Sequence, residues 1–251
     1  MATSVLLKPR NFDPTNVSFS APRQIGTSGA KMLYLNYSNE SLSIQLPNLS
    51  VGWDVKFYPD KPGSGKYQVS LKFNDLGDKK QKEMHDFLET LDKLLIKAGH
   101  ENRAAWLKLP KASEEVIETC YTPLIKRSRD KETGEVNGKY PDEFRVKMVK
   151  RDGEYQFQMV DENKSEIDMT AEDFNMEEVV KKGTKFRGVI RCNGVWIGNG
   201  KFGCTWKAEQ IMVENPAAMK SYAFEDTDDE EDDKENDESD SDSDSDDSES
   251  E

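Results

Sequence analysis

Histidine and cysteine are scarce in this chain of 251 residues, with two of the former and three of the latter. Cys120, Cys192 and Cys204 form no C-x-x-C pair, and with only His85 and His100 beside them no zinc-ligand spacing exists. An odd set of thiols without a pairing pattern is expected to stay reduced in an intracellular protein. No stretch approaches membrane-spanning length, and the opening MATSVLLKPR lacks the charged-then-apolar layout of a signal peptide. The N-x-S sequences at Asn16, Asn36, Asn39, Asn48 and Asn163 are therefore expected to carry no glycan. Catalytic motifs are missing as well: there is no G-x-S-x-G, H-E-x-x-H, kinase loop or dinucleotide fingerprint. Pro62-Gly63-Ser64-Gly65-Lys66 looks phosphate-binding, but a P-loop needs Gly where Asp60 stands and Ser or Thr where Tyr67 stands, so it reads as a hairpin turn. Many carboxylates are present, but a count of acids is not a site. No catalytic residue, cofactor or metal is assigned, and an enzyme is the disfavoured class.

Apolar residues are absent from one end of the chain. Residues 225–251 contain 18 Asp/Glu and one Lys (Lys234), a formal charge of −17. The body, residues 1–224, holds 34 Lys/Arg against 31 Asp/Glu, so the overall charge of −14 describes the tail alone. A segment of this composition cannot bury enough apolar surface to fold, and is expected to be a disordered polyanion. A solubility tail would satisfy the same composition. Opposition to a basic-faced body favours a sharper role, in which the tethered polyanion competes for the body's binding groove. Ser239, Ser241, Ser243 and Ser248 each precede an acid by three residues, the pattern of acidophilic kinase sites.

Along the body, residues 1–29 are rich in Pro, Ser, Thr and Gly without a period, which predicts an extended or mobile arm. Leu42, Ile44 and Leu46 alternate with Ser43 and Gln45, marking a half-buried strand. Gly52–Tyr58 and Lys66–Phe73 read as a hairpin around Pro59–Gly65. From Asp78 to about Gly99 the period changes. Met84, Phe87, Leu88, Leu91, Leu94, Leu95 and Ala98 then fall on one helical face, with Gly99 as the stop and no catalytic partner near His85. Arg103–Leu109 brings Trp106, and a second helix starts at Ser113 and ends before Pro123. Lys126–Pro141 is a basic loop whose Lys126–Lys131 run also fits a nuclear-import signal or a solvated loop without a role. Strands at Phe144–Lys150 and Tyr155–Val160 follow, cornered at Asp152-Gly153, then a short helix within Met169–Lys182. This order suits a mixed antiparallel barrel with inserted helices better than a doubly wound parallel sheet.

Gly183–Val213 reads as three short strands punctuated by Asn193-Gly194 and Asn199-Gly200. Within it Phe186, Trp196, Phe202 and Trp206 are interleaved with Lys185, Arg187, Arg191, Lys201 and Lys207. Any one of these rings, taken alone, fits a core position at least as well, and Trp206 precedes an alternating run that can point inward. The cluster as a whole suits a polyanion with flat faces: phosphates meet the cations, and unpaired bases stack on the rings at about 1–3 kcal/mol each.

GVWIGNGKFGCTWKAEQIMV, preceded by YTPLIKRSRDKETGEVNGKYPDEFRVKM and joined to an acidic C-terminus, resembles the single-stranded-DNA-binding proteins of large eukaryotic DNA viruses. That group is more distantly similar to the OB-fold replication protein of short-tailed phages. The resemblance spans roughly residues 31–213 plus the tail. It implies a mainly β, OB-fold-like antiparallel barrel with inserted α-helices over 30–214, a linker at 215–224, and the disordered acidic tail at 225–251. It also implies single-stranded DNA binding in viral replication, recombination or repair, at a host nuclear or cytoplasmic replication site. Replication proteins would be reached through the tail, self-association is compatible, and no membrane is involved. In the phage and bacterial relatives the acidic tail ends in an aromatic, whereas here the last aromatic is Phe224 and the chain ends in Glu251, so docking of the tail tip does not carry over.

Phosphate contacts are expected from Lys126, Arg127, Arg129, Lys139, Arg145 and Lys147, and from Arg187, Arg191, Lys201 and Lys207. Stacking is expected from Tyr140, Trp196, Phe202 and Trp206, with Trp53 and Tyr58 as further candidates. A different class, an acidic-tailed chaperone of basic proteins such as histones, would use the tail to bind and the body as scaffold.

Overall fold

The computed structural model describes residues 4–26 and 29–214; the linker and acidic tail lie outside the described residues. Five long strands carry the architecture: β1 (Glu40–Val51), β2 (Ser64–Lys72), β3 (Glu143–Arg151), β4 (Lys185–Gly198) and β5 (Lys201–Glu214). β1 pairs antiparallel with β2 and with β4, β2 with β3, and β5 with β4, while β3 runs parallel to β5. The strands therefore return on themselves as a ring in the order β1-β2-β3-β5-β4-β1. This is the five-stranded, partly open Greek-key barrel of the OB-fold. Two seams of the ring are short. β1 meets β2 only at Ser50–Lys72 and Val51–Leu71, and β3 meets β5 only at Val146–Trp206 and Lys147–Lys207.

Alternation fills the interior. Leu42, Ile44 and Leu46 of β1, Val69 and Leu71 of β2, and Phe144, Val146 and Met148 of β3 are all buried. Each such side chain contributes roughly 1.5–3 kcal/mol relative to exposure. The expected helix is α1 (Lys79–Glu101), capped by the Asp78 carboxylate, which accepts from the Gln81 amide at 2.8 Å. Its buried face holds Met84, Phe87, Leu88, Leu91, Leu95 and Ala98, with Leu94 at the margin, and it packs on the core of the barrel. Gly99 is not the stop. It is buried within α1, where a Cβ would lie 2.4 Å from the Phe202 ring, so glycine permits the helix to approach β5. α2 (Arg103–Leu107) brings the buried Trp106, and α3 (Glu114–Cys120) starts at Ser113 as expected; α4 (Met176–Val179) is the short helix before β4.

The described part of the N-terminal arm lies on the barrel: Ser4–Leu7 pairs in parallel with Ser41–Ile44, and Val5, Leu7, Phe12, Val17 and Phe19 pack on the core. The region 183–213 has two long strands, not three. Asn199-Gly200 is a tight turn with φ of 52° and 72°, but Asn193-Gly194 lies inside β4 as a bulge, with a register shift between Cys192 and Gly194. Gly194 has φ of 111°, and a Cβ there would meet the Leu33 carbonyl oxygen at 2.6 Å. An Asn-Gly pair serves a bulge or a turn through the same positive-φ freedom, and strand partners on both sides select the bulge.

Candidate nucleic-acid interface

The bulge sets the direction of Trp196. Before it, the even-numbered Phe186, Ile190 and Cys192 face the interior; after it, Val195 and Ile197 do. Trp196 therefore points outward, its ring beside Gly203, where a Cβ would come within 3.1 Å of it. Without the extra residue the indole would share the face of Phe186.

Register aligns the outward cations. Gln68, Lys147, Lys207, Arg191 and Ser43 are successive cross-strand partners over β2, β3, β5, β4 and β1. Burial and the neighbouring Lys66 depress the Lys147 amine, and burial and Arg191 depress that of Lys207. Both ammonium groups gain from an anion that offsets desolvation and like charge. Arg191 is the least available member, because Glu209 pairs with it at 2.5 Å and also accepts from Ser43 Oγ at 2.9 Å.

Beyond Val146 and Trp206 the β3–β5 seam opens, and the segment after α3 fills the gap. Tyr121–Thr122 pairs in parallel with Phe202–Gly203, and Ile125–Lys126 pairs with Glu143–Phe144. Asp92 of α1 anchors this segment, accepting from Tyr121 Oη at 2.5 Å and from the Leu124 amide at 3.0 Å. Burial raises the pKa of both groups, and the Asp92 charge and hydrogen bond raise that of Tyr121 further. A cleft of about 960 Å³ remains over the seam. Its walls bring together Lys126, Arg127, Arg129, Tyr140, Arg145 and Lys147 with Trp196, although these residues span 71 positions of sequence numbering, from 126 to 196. Lys126, Arg145 and Lys147 make no ion pair among the described residues. Tyr140 is 58 % exposed, and Lys139 sits 5.5 Å from its ring centroid.

Other expected contacts fall elsewhere. Phe202 and Trp206 are corrected as stacking residues: both are fully buried, Phe202 against Tyr121 and Trp106, and Trp206 against Phe87 and Phe144. Trp206 reaches the cleft only as part of its floor. Arg187 and Lys201 are exposed but do not line the cleft; Arg187 Nε contacts Met212 Sδ at 3.0 Å, and Lys201 follows the tight turn. Arg127 is held by Glu89 and lies 3.7 Å from Asp142, which also bonds His85 Nε2 at 2.9 Å. His85 thus has a partner that the sequence did not suggest, in a strut tying α1 to the cleft wall. Cys192 and Cys204 are buried with sulfurs 3.4 Å apart, and their mutual contact, then burial, raises the Cys204 thiol well above its ordinary range.

At the β1–β2 connection Trp53 is 57 % exposed. Its Nε1 donates to Glu143 at 2.8 Å, fixing the indole beside the outer face of β2 and β3, with the Lys72 ammonium 4.7 Å from its centroid. Tyr58 is exposed on the strand Phe57–Lys61 that pairs with β2. Aromatics with glycine and polar neighbours in a loop, as in Gly52-Trp53-Asp54, were the available signal. Gln68 and Asp92 carried none.

No family model matches the sequence, and a search of curated proteins finds no match. Similar solved structures include two phage proteins. The crystal structure of gp2.5, a single-stranded DNA binding protein encoded by bacteriophage T7, is 15 % identical with a TM-score of 0.41, covering 73 % of this chain and 91 % of its own. A C-terminally truncated single-stranded DNA-binding protein from bacteriophage Enc34 is 10 % identical with a TM-score of 0.42, covering 81 % of this chain and 98 % of its own.

Proposed function

We propose that this chain binds single-stranded DNA without sequence preference, in viral DNA replication, recombination or repair. The observation that carries the reading is the cleft over the β3–β5 seam, where unpaired cations and the outward rings of Trp196 and Tyr140 line one space. Phosphates engage Lys126, Arg145 and Lys147, and unpaired bases reach the ring faces; bases held in a duplex do not present those faces. Stacking on any base gives sequence tolerance, and phosphate contacts make affinity fall with salt. The tail of charge −17 competes for the same cations at an effective concentration set by its tether, weakening non-specific binding and leaving it available to replication proteins when DNA displaces it.

The test is a fluorescence-anisotropy titration of labelled oligo-dT and duplex over a salt series, using the full chain and a chain ending at Phe224. Single strands are expected to bind well ahead of duplex, more weakly as salt rises, and more tightly after truncation. Absence of single-strand binding at low salt in both chains overturns the reading. Loss of histone binding on truncation would then favour the acidic-tailed chaperone.

A further inference from the structure

We propose that Arg23 and Tyr34 form a second contact for single-stranded DNA, extending its path past Trp196 onto the N-terminal strands. The inference rests on the single-stranded-DNA reading of the cleft and adds residues outside it. Lys31–Leu33 pairs with β4 so that Met32 lies opposite Trp196, and Arg23 lies opposite Met32 on the next strand. Directly opposed residues of antiparallel strands share a face, so the outward side of Trp196 continues through Met32 to Arg23. At about 4.8 Å per strand, Arg23 lies roughly 10 Å beyond the β4 backbone.

Tyr34 shares that outward face. Its neighbours Leu33 and Leu35 are buried while it is 47 % exposed. Its amide donates to Ser20 Oγ at 2.9 Å, and the Ser20 amide donates to its carbonyl at 3.0 Å, fixing the backbone that aims the ring. The Arg23 guanidinium lies 4.7 Å from the ring centroid and makes no ion pair among the described residues. A cation seated on an exposed ring is also the arrangement of Lys139 with Tyr140 and of Lys72 with Trp53. An unpaired base can stack on the free ring face or on the guanidinium plane, with the adjacent phosphate drawn by the arginine charge. Continuity with Trp196 and the cationic character select single-stranded DNA as the occupant over a protein segment.

The test compares full-length Tyr34→Ala and Arg23→Ala with wild type and with Trp196→Ala, on oligo-dT of roughly 6 and roughly 16 nucleotides. Both new variants are expected to weaken binding of the longer strand by about five- to tenfold, leave the shorter one unchanged, and melt like wild type. Tyr34→Phe is expected to retain wild-type affinity, because stacking needs the ring and not the hydroxyl. Unchanged binding of the longer strand, with Trp196→Ala weakening both, overturns the extension and leaves the cleft reading intact. An equal loss at both lengths also overturns it, placing the pair inside the central footprint. If wild type binds neither strand, the cleft reading and the extension fall together.

Discussion

Trp196 and Trp206 sit on the two paired strands of one hairpin and resemble each other in sequence, each near glycines and lysines. Trp206 is fully buried against Phe87 and Phe144, whereas Trp196 lies half-buried on the outside at the mouth of the cationic cleft. The difference comes from one residue of register. The bulge at Cys192–Gly194 inverts the inside–outside alternation of β4, and Trp196 falls on the inverted side. A side chain's role in a barrel is thus decided by the parity of the strand between it and the nearest bulge, more than by its own identity or neighbours.

The sharpest way to break this contrast is to delete Asn193. Restored alternation would turn the indole toward the interior, and single-strand affinity should fall tenfold or more, as expected for a lost stacking platform of about 1–3 kcal/mol plus displaced neighbours. Acrylamide quenching of tryptophan fluorescence, with and without oligo-dT, checks the reorientation. If protection by DNA persists unchanged, Trp196 is not the platform.

Paired substitutions separate the two rings next. Trp206→Ala should destabilise the fold by about 3–5 kcal/mol. Trp196→Ala should leave the denaturation midpoint nearly unchanged while weakening oligo-dT binding by about 1–3 kcal/mol. Trp206→Phe provides a folded control whose affinity should match wild type. Urea denaturation and anisotropy on the same preparations give both quantities, and a loss of affinity in Trp206→Phe would count against its purely internal role.

A smaller effect distinguishes free cations from those already paired within the chain. Arg145→Ala and Lys147→Ala should each flatten the slope of log affinity against log salt by about 0.7, the value for one phosphate contact on a single strand. Arg191→Ala should change it less, because Glu209 already pairs with that guanidinium. The smallest effect is with pH. The Lys147 and Lys207 amines are depressed by burial and like charge, and anion binding favours their protonated forms. Affinity should therefore be full at neutral pH and decline as pH rises through those lowered values, before the ordinary lysine range near about 10.4. Lys147→Arg keeps its charge and should delay the onset in an anisotropy series at rising pH.

Local periodicity carried much of the fold. The stripe from Met84 to Ala98 specifies α1, the alternation of Leu42, Ile44 and Leu46 specifies β1, and Asn199-Gly200 specifies the turn between β4 and β5. These features depend on contacts within a few residues, so composition and spacing express them directly. The supply of cations and rings was legible for the same reason, and Lys126, Arg145, Lys147, Tyr140 and Trp196 do meet in one cleft.

Pairings between distant residues leave no such local pattern. Asn193-Gly194 reads as a turn until Leu33 on one side and Thr205 on the other hold it as a bulge. Arg127 reads as a free cation until α1 brings Glu89 to it, and Arg191 until β5 brings Glu209. Arg23 comes onto the outward face of Trp196 only through the register of two further strands. Composition and spacing state which chemical groups this protein possesses and which short elements carry them. Their direction and availability were set by strand register and long-range ion pairs, because those energies arise between segments whose separation along the chain holds no record of their meeting.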